Sequence, residues 1–308
     1  MNESANGSHY CGLTGYFEWW YFHFVTTGGL ACNIVLHETD IFALVRSPYV
    51  SMSVHLPGYS PRYLRLCLPA GSIVAGTRYL NVSQEGCCIQ EDKDEIRIRL
   101  LFPSGEEYRA VVKKLTRSLI LNQNVLYQVG QNRSYWQPQV PFGSFDGTLN
   151  LPRGTRHTLN GSAYHDHQWG TVPIQSFVKD WVWGHFSSNA SSALFFVIRT
   201  QTGELIERYS TASLRGQCGY TTGGEVSHLV NLASHTHPEH WAGHPRVVLP
   251  SGGVLRVDID PCKLIRARVE EVHDGFSATY LRWRGVAKLS GSQDSHRGIT
   301  EYIRIRRG

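Results

Sequence analysis

The sequence lacks the features that mark membrane, secreted and disulfide-rich proteins. No apolar run approaches the roughly 18 residues that cross a bilayer as a helix, and the stretch from Met1 to Gly12 is polar, without an apolar signal core. The seven cysteines are odd in number and form no CxxC pair, which argues against a disulfide framework and a zinc ribbon. We therefore expect a soluble, cytoplasmic protein without an integral membrane segment.

Charged residues are also scarce, at 18% of the chain against a usual share of about 25%. The net charge is only +5, and arginines occur in pairs two residues apart, such as Arg97 with Arg99 and Arg304 with Arg306. This spacing is typical of the solvent-exposed face of a half-buried strand. The arginines therefore indicate strand surfaces, and we expect no nucleic-acid partner.

Strand patterns dominate what is present. A strand at residues 96–102, a turn at 103–105 and a strand at 107–115 together predict a hairpin. Many short strands with glycine-rich turns predict an all-β fold, with one short helix as a candidate between residues 222 and 235. Strands at residues 193–200 and 204–210 with a turn at 201–203 predict a second hairpin, and similar patterns predict strands at residues 254–259, 264–272, 278–289 and 299–305.

A chain of 308 residues is long for one β-sandwich and suits two β units. Residues 138–160 are rich in proline, glycine and polar side chains, which is typical of the approach to a boundary. We predict an N-terminal unit over residues 1–170, which carries the EWWYF and YHDHQWG segments, and a C-terminal unit over residues 171–308.

The aromatic segment at residues 15–24 carries the first candidate site residues. On a strand, Glu18 and Trp20 share one face with Phe22, and both faces of the segment are aromatic, so both are predicted to be covered. Glu18 then lies in an apolar row, where a carboxylate needs a partner or a raised pKa. Glu18 is either a structural residue, hydrogen-bonded to backbone or to an arginine, or an acid within a pocket.

The second segment, at residues 161–170, reads Gly-Ser-Ala-Tyr-His-Asp-His-Gln-Trp-Gly. Strand alternation places Tyr164, Asp166 and Gln168 on one face, and His165 and His167 on the other. Two histidines at this spacing are able to bind a metal, but Asp166 points away from both, so we favour an acid over a metal site. Among aromatic rings, desolvation would raise the pKa of Asp166 and keep it protonated as a proton donor. Aromatic faces would stabilise a carbocation by about 0.5–2 kcal/mol each.

Further aromatic positions extend the candidate pocket. Trp181, Trp183 and His185 share one face of a predicted strand, where they form either an aromatic core or the wall of a pocket. Trp136 lies two residues before Pro138, and proline interrupts strand pairing. Trp136 is therefore expected where a strand meets a loop, at the rim of a pocket.

At these segments the chain resembles a known family. Residues 18–22, 164–170 and 181–184 are similar to motifs of the carotenoid 1,2-hydratase (hydroxyneurosporene synthase) and AttH lipocalin-like family. The resemblance spans nearly the whole chain and implies two lipocalin-like β-barrel or sandwich domains, with the pocket at or near their junction. Related folds include noncanonical terpene cyclases and fungal Diels–Alderases, which guide cyclisation without a cofactor.

The resemblance also implies roles for individual residues. Asp166 matches an aspartate that protonates an isoprenoid double bond before water captures the cation, and Tyr164 matches the tyrosine two residues earlier. The hydratases carry a His-x-Trp element, whose best match here is Ser134-Tyr135-Trp136, so Ser134 occupies the histidine position. This departure favours cyclisation, in which an internal group captures the cation.

We therefore predict a cofactor-independent cyclase or hydratase, of the lyase or isomerase class, that protonates an alkene of an isoprenoid or polyene intermediate in terpenoid biosynthesis or other secondary metabolism. Two alternatives stay open: a Diels–Alderase-type pericyclase, and a non-catalytic lipocalin-like carrier of an apolar ligand. The sequence predicts neither a cofactor nor a metal, and it leaves the oligomeric state open. The candidate catalytic residues are Asp166 and Tyr164, and the candidate substrate-binding residues are Trp136, Trp20, Glu18, Trp181, Trp183, His185 and His165.

Overall fold

A computed structural model shows that the protein is built from antiparallel β-strands, as predicted. Among the described residues, the helical segments are two single turns of 3-10 helix, at Pro152–Gly154 and Ile174–Ser176. No helix in this part of the chain is long and apolar enough to cross a membrane. The described residues are 6–39, 48–56, 59–118, 125–213, 219–221, 226–227, 246–248, 254–272, 276–289 and 295–307.

The chain forms two compact units, residues 1–174 and 175–308. The predicted division after residue 170 stays a prediction, although a strand does end at that residue. The candidate helix between residues 222 and 235 falls largely outside the described residues.

The first unit contains one sheet, which within its described residues has eleven strands in the order β4-β3-β2-β1-β11-β10-β8-β7-β6-β5, with β9 paired to β10. The strands are β1 (Phe17–Thr26), β2 (Ala31–Thr39), β3 (Tyr49–His55), β4 (Arg62–Cys67), β5 (Asn81–Gln84), β6 (Cys87–Glu91), β7 (Glu95–Leu101), β8 (Glu107–Lys114), β9 (Val125–Val129), β10 (Asn132–Asn150) and β11 (Arg156–Gly170).

This sheet curls around a single hydrophobic core. Leu66 of β4 and Val82 of β5 belong to one cluster of buried side chains, although these strands lie at opposite ends of the sheet order. The same cluster contains Trp20, Phe22 and Phe24, the even-numbered aromatic residues of β1. A sheet that contacts itself through its core in this way has the curled form expected of a lipocalin-like domain.

The second unit contains a nine-stranded sheet in the described residues, in the order β15-β14-β13-β12-β20-β19-β18-β17-β16. Its strands are β12 (Val178–Ser187), β13 (Ser191–Thr200), β14 (Leu205–Ser213), β15 (Gly219–Thr221), β16 (Val226–Ser227), β17 (Arg246–Val248), β18 (Val254–Val272), β19 (Phe276–Leu289) and β20 (Ser295–Arg307).

The predicted hairpins are confirmed. Strands β7 and β8 pair around a turn that ends at Gly105 (φ 93°), and β13 and β14 pair around a turn that ends at Gly203 (φ 89°). Such positive φ angles are adopted readily by glycine. The two strands predicted at residues 254–259 and 264–272 form the single strand β18, which shifts register between Ile259 and Leu264 where it pairs with β19.

The interpretation of residues 138–160 as the approach to a boundary is wrong. They belong largely to β10 and β11, the pair at the centre of the first sheet. Strand β10 accommodates Pro138, which has no N–H for a ladder hydrogen bond, because its register against β11 shifts between Pro138 and Val140 and again before Gly143. Trp136 therefore lies within a central strand and not at a strand end.

Candidate active site

Strand β11 lies between β1 and β10, and its pairing determines which side chains surround the YHDHQWG segment. Asp166 is directly opposite Tyr21 of β1 and Pro138 of β10. Opposed residues of antiparallel strands lie on the same side of a sheet. The structure therefore shows the predicted alternation, with two faces that we define by their residues. The Asp166 face comprises Tyr164, Asp166, Gln168, Trp19, Tyr21, His23, Asn33 and Trp136; the core face comprises His165, His167, Trp169, Glu18, Trp20 and Phe22.

Asp166 and Tyr164 are joined by a hydrogen bond. The hydroxyl of Tyr164 donates to Oδ2 of Asp166 at 2.8 Å, and the side-chain amide of Gln168 donates to Oδ1 at 3.4 Å. Asp166 is 1% exposed and Tyr164 is fully buried. Burial disfavours the charged carboxylate, whereas both donors favour it. Tyr164 thus holds Oδ2, and the amide of Gln168 lies near Oδ1.

Aromatic rings flank this acid pair. Trp136 of β10 and Trp19 of β1 are both directly opposite Gln168, and Tyr21 is opposite Asp166. All three rings are buried. Aromatic rings stabilise a cation that lies over their π-faces.

A second polar group on this face was not predicted from the sequence. The side-chain nitrogen Nδ2 of Asn33 donates to the hydroxyl of Tyr21, and it lies 3.1 Å from Nδ1 of His23. All three side chains are buried. The available signal was Asn33 itself, since an asparagine inside the apolar run Ala-Cys-Asn-Ile-Val-Leu is a buried polar residue that needs partners.

On the core face, Glu18 is a buried carboxyl group surrounded by donors. It accepts from the backbone N–H of His9 at 2.7 Å, from the hydroxyl of Ser8 at 2.8 Å and from Nε2 of His167 at 2.9 Å. Burial raises the pKa of Glu18 to about 7, because desolvation outweighs these hydrogen bonds. These contacts, which include a hydrogen bond from the backbone, are those expected if Glu18 is a structural residue.

Both histidines of the motif lie on the core face as neutral rings. Burial lowers the pKa of His165 to about 3 and holds the pKa of His167 well below its ordinary value. His165 donates from Nδ1 to the carbonyl oxygen of Tyr21 at 3.0 Å, so its Nε2 accepts from Asn6 at 2.8 Å. Their rings stack on β1 aromatics, His165 on Phe22 and His167 on Trp20.

The partners of the core face come from the segment before β1. The Asn6 side chain donates to Glu91 at 2.8 Å as well as to His165, and its carbonyl oxygen accepts from Nε1 of Trp20 at 2.7 Å. The ring of His9 stacks on Trp169 with a centroid distance of 4.2 Å. Residues 6–9 therefore hydrogen-bond to Glu18, Trp20 and His165 of the core face.

The structure brings together some of the predicted site residues and separates others. Asp166, Tyr164 and Trp136 share one face, whereas Glu18, Trp20 and His165 lie on the opposite face of the same sheet. Trp20 belongs to the hydrophobic core, and Glu18 and His165 hydrogen-bond to Ser8 and Asn6, so the three lie outside the site proposed below. Their role in substrate binding stays a prediction, and their position on the core face does not support it.

The other three candidates belong to the second unit. Trp181, Trp183 and His185 lie at alternate positions of β12 and are buried, with the rings of Trp183 and His185 stacked at 6.3 Å. They share their face with Phe196 of β13 and Glu301 of β20, which are both opposite Trp183. Their role as pocket walls stays a prediction. Among the described residues, no group of three or more His, Cys, Asp or Glu side chains is arranged to hold a metal ion.

Comparison with known proteins identifies the fold of the chain. No family model matches the chain. A segment of 71 residues is 32% identical to hydroxyneurosporene dehydrogenase of Chlorobaculum tepidum, but it spans only 21% of this chain and 19% of that protein. This sequence match thus covers a short stretch of both proteins.

Solved structures match over nearly the whole chain. A protein assigned as AttH from Nitrosomonas europaea has a TM-score of 0.65 and 16% identity, covering 96% of this chain and 94% of its own. CghA, solved with Sch210972, has a TM-score of 0.65 and 10% identity over 96% and 89%. Kievitone hydratase from Nectria haematococca has a TM-score of 0.61 and 12% identity over 97% and 95%. The chain therefore has the fold of AttH-like proteins, which confirms the resemblance at the level of fold.

Proposed function

We propose that this protein is a cofactor-independent cyclase or hydratase that protonates an alkene of an isoprenoid or polyene substrate. The observation that carries the proposal is the 2.8 Å hydrogen bond from Tyr164 to Asp166, buried on a face that also holds Trp19, Tyr21 and Trp136. An acid in such surroundings is suited to donate a proton. The buried rings around it are suited to shield the resulting cation from water.

In this mechanism, the protonated carboxyl group of Asp166 transfers its proton to one alkene carbon, so that a new C–H bond forms and the neighbouring carbon becomes cationic. Tyr164 holds Oδ2, and its hydrogen bond strengthens as the carboxylate becomes charged. The cation is captured by water or by an internal alkene. Loss of a proton from the captured species to Asp166 then restores the acid, so no net proton is consumed.

Solved proteins of the same fold support this proposal. One structural neighbour is named as a hydratase, and another was solved together with a small molecule. Because the identities are only 12% and 10%, these neighbours support the fold, and the function has to be argued from the site. The lyase or isomerase class follows from the proposed addition of water or the ring closure.

Deuterium labelling tests the proposal. The protein is incubated in D₂O with a prenylated phenol, a linear isoprenoid alcohol and a conjugated polyene, and products are analysed by mass spectrometry and NMR. Protonation by Asp166 places deuterium on a product carbon, whether water or an internal group captures the cation. Conversion of an alkene without deuterium on carbon would contradict the proposal.

A second candidate is a pericyclase that folds a polyene without proton transfer. The observation in its favour is that both Tyr164 and Gln168 donate to Asp166, since two donors favour the ionised carboxylate, which has no proton to give. The same labelling experiment discriminates, because cycloaddition leaves no deuterium on carbon. Recovery of every compound unchanged would instead favour a carrier of apolar ligands.

A further inference from the structure

Two side chains on the Asp166 face have an oxygen atom that makes no hydrogen bond within the described part of the chain. Gln168 donates from Nε2 to Oδ1 of Asp166, and its carbonyl oxygen Oε1 accepts from no donor. Ser134 lies two residues before Trp136 in β10, and its hydroxyl group neither donates nor accepts. Gln168 is 8% exposed and Ser134 is 3% exposed, so both oxygens belong to nearly buried side chains.

The two side chains are close neighbours in the sheet. Gln168 is directly opposite Trp136, and Ser134 is directly opposite Gly170, so Ser134 and Gln168 occupy diagonal positions on paired strands. Such diagonal neighbours are about 7–8 Å apart. A water molecule that bonds to two oxygens spans about 5.5 Å between them, since each bond is about 2.7–2.8 Å long. The length of the glutamine side chain covers the difference, so one water molecule is able to contact both oxygens.

Buried polar atoms that lack a partner in the protein are commonly bonded to ordered water. A water molecule is held stably where about two to four polar groups surround it. Gln168 offers an acceptor and Ser134 offers a hydroxyl group, which is both a donor and an acceptor. Because Nε2 of Gln168 is directed to Asp166 at 3.4 Å, the other end of the same amide places the water molecule beside the acid.

We infer that Gln168 and Ser134 hold the water molecule that captures the cation, so that the proposed reaction is a hydration. This inference rests on the proposed function, because Asp166 has to form the cation first. The water molecule donates one hydrogen to Oε1 of Gln168 and accepts a hydrogen from the hydroxyl group of Ser134. In the sequence, Ser134 favoured cyclisation; its position beside Gln168 favours water as the group that captures the cation.

The capture step returns Asp166 to its starting state. The water oxygen forms a bond to the cationic carbon, and one of its O–H bonds breaks as the proton passes to the carboxylate of Asp166. That carboxylate had given its own proton to the alkene, so it becomes an acid again. The net change is the addition of one water molecule across the double bond, and the product is an alcohol.

Oxygen labelling tests the inference. The full-length protein is incubated in H₂¹⁸O with the compounds used for deuterium labelling, a prenylated phenol, a linear isoprenoid alcohol and a conjugated polyene. We expect the main product to be an alcohol that contains ¹⁸O. A deuterated product without ¹⁸O would overturn the inference and leave the proposed function standing. Conversion without deuterium on carbon, or no conversion, would overturn the proposed function and with it the capture step.

Two variants assign the capture step to these side chains. Gln168→Leu removes Oε1 and keeps a side chain of similar size, and Ser134→Ala removes the hydroxyl group. The measured quantity is the ratio of ¹⁸O-labelled alcohol to ring-closed products and isomerised alkenes. This ratio describes the fate of the cation and does not depend on how fast Asp166 forms it. We expect a decrease of roughly 10-fold in Gln168→Leu and roughly 3-fold in Ser134→Ala, as for the loss of about one hydrogen bond.

Matched controls make the same substitutions at exposed positions. Gln90→Leu in β6 and Ser83→Ala in β5 should leave the product ratio unchanged. A merely structural role of Gln168 would lower the yield of all products together and would not change their ratio. An unchanged ratio in folded Gln168→Leu would therefore contradict the inference.

A high-resolution crystal structure tests the water site without turnover. An ordered water molecule within about 3.2 Å of both Oε1 of Gln168 and the hydroxyl oxygen of Ser134 would support the inference. Absence of this water molecule, or a bond from either oxygen to another protein group, would overturn it. If the water molecule is present but no deuterium is placed on carbon, the water site stands and the proposed function fails.

Discussion

The two faces of β11 are both buried and both polar, yet their hydrogen bonds differ in range. On the core face, Glu18 bonds to His167, and His165 bonds to Asn6, residues that are 149 and 159 positions apart in sequence. On the Asp166 face, Asp166 bonds to Tyr164 and Gln168, two positions away, and Asn33 bonds to Tyr21 and His23 of the neighbouring strand. Long-range bonds hold the N-terminal segment against the sheet, whereas these bonds join residues of the same strand or of neighbouring strands. The core face is therefore expected to determine stability, and the Asp166 face to determine activity.

The largest expected effect is on activity. Asp166→Asn keeps the size of the side chain and removes the acid, and general acid catalysis commonly contributes about 10²- to 10⁴-fold to a rate. We expect turnover of any substrate identified in the labelling experiment to fall by that factor, while urea unfolding shifts by less than about 1 kcal/mol. The control is Asp146→Asn, the same change at an exposed position of β10. Full turnover in folded Asp166→Asn would exclude proton donation by this residue.

The next largest effect is on stability, from the core face. Glu18→Ala leaves Ser8, the backbone of His9 and His167 without their shared acceptor. A buried donor left without its acceptor commonly costs about 1–3 kcal/mol, and Glu18→Ala affects several such groups at once. We expect urea unfolding to show a loss of this size, and Glu85→Ala, at an exposed position, to show almost none. A neutral effect of Glu18→Ala would contradict the assignment of stability to the core face.

The same residue makes stability depend on pH. Burial raises the pKa of Glu18 from 4.5 to about 7, so between these values the unfolded chain has released a proton that the folded protein keeps. Raising the pH across this window therefore favours the unfolded chain. Relative to Glu18→Gln, the wild-type protein should lose about 3 kcal/mol, since each pKa unit corresponds to about 1.4 kcal/mol.

The difference in stability between the wild-type protein and Glu18→Gln is measured by hydrogen exchange of the β1 and β11 amides between pH 4.5 and 7. His165 has its pKa lowered from 6.5 to about 3 and acts in the opposite direction, because protonation of the unfolded chain at low pH favours unfolding. Both proteins contain His165, so its contribution cancels in the comparison. Parallel stability curves for the two proteins would show that Glu18 does not titrate in this window.

The two faces also show how far the sequence could be interpreted. Alternation alone separated Asp166 from His165 and His167, because side-chain direction along a strand follows a period of two. The same rule placed Glu18 and Trp20 together, but it could not show that they share a face with His165. That depends on the register between β1 and β11, which are separated by more than a hundred residues.

Local composition misled the interpretation at Pro138. A proline and several glycines indicate a loop in an isolated segment, but tertiary pairing accommodates them here through register shifts in β10. Asn33 was missed for a related reason. Its partners Tyr21 and His23 lie on a different strand, and only the pairing of β1 with β2 brings the three together. Strand patterns in the sequence therefore do not show which residues of two strands are paired with each other.

The smallest expected effect concerns only the attachment of the N-terminal segment to the core face. Asn6→Ala removes the donors to Glu91 and His165 but keeps the backbone acceptor for Trp20. Unsatisfied buried groups of this kind commonly cost about 1–3 kcal/mol. We expect faster exchange of the amide of Gly76, which donates to the carbonyl of Ser8, with turnover unchanged because the Asp166 face is not touched. A loss of turnover in Asn6→Ala with unchanged exchange at Gly76 would reverse the roles of the two faces.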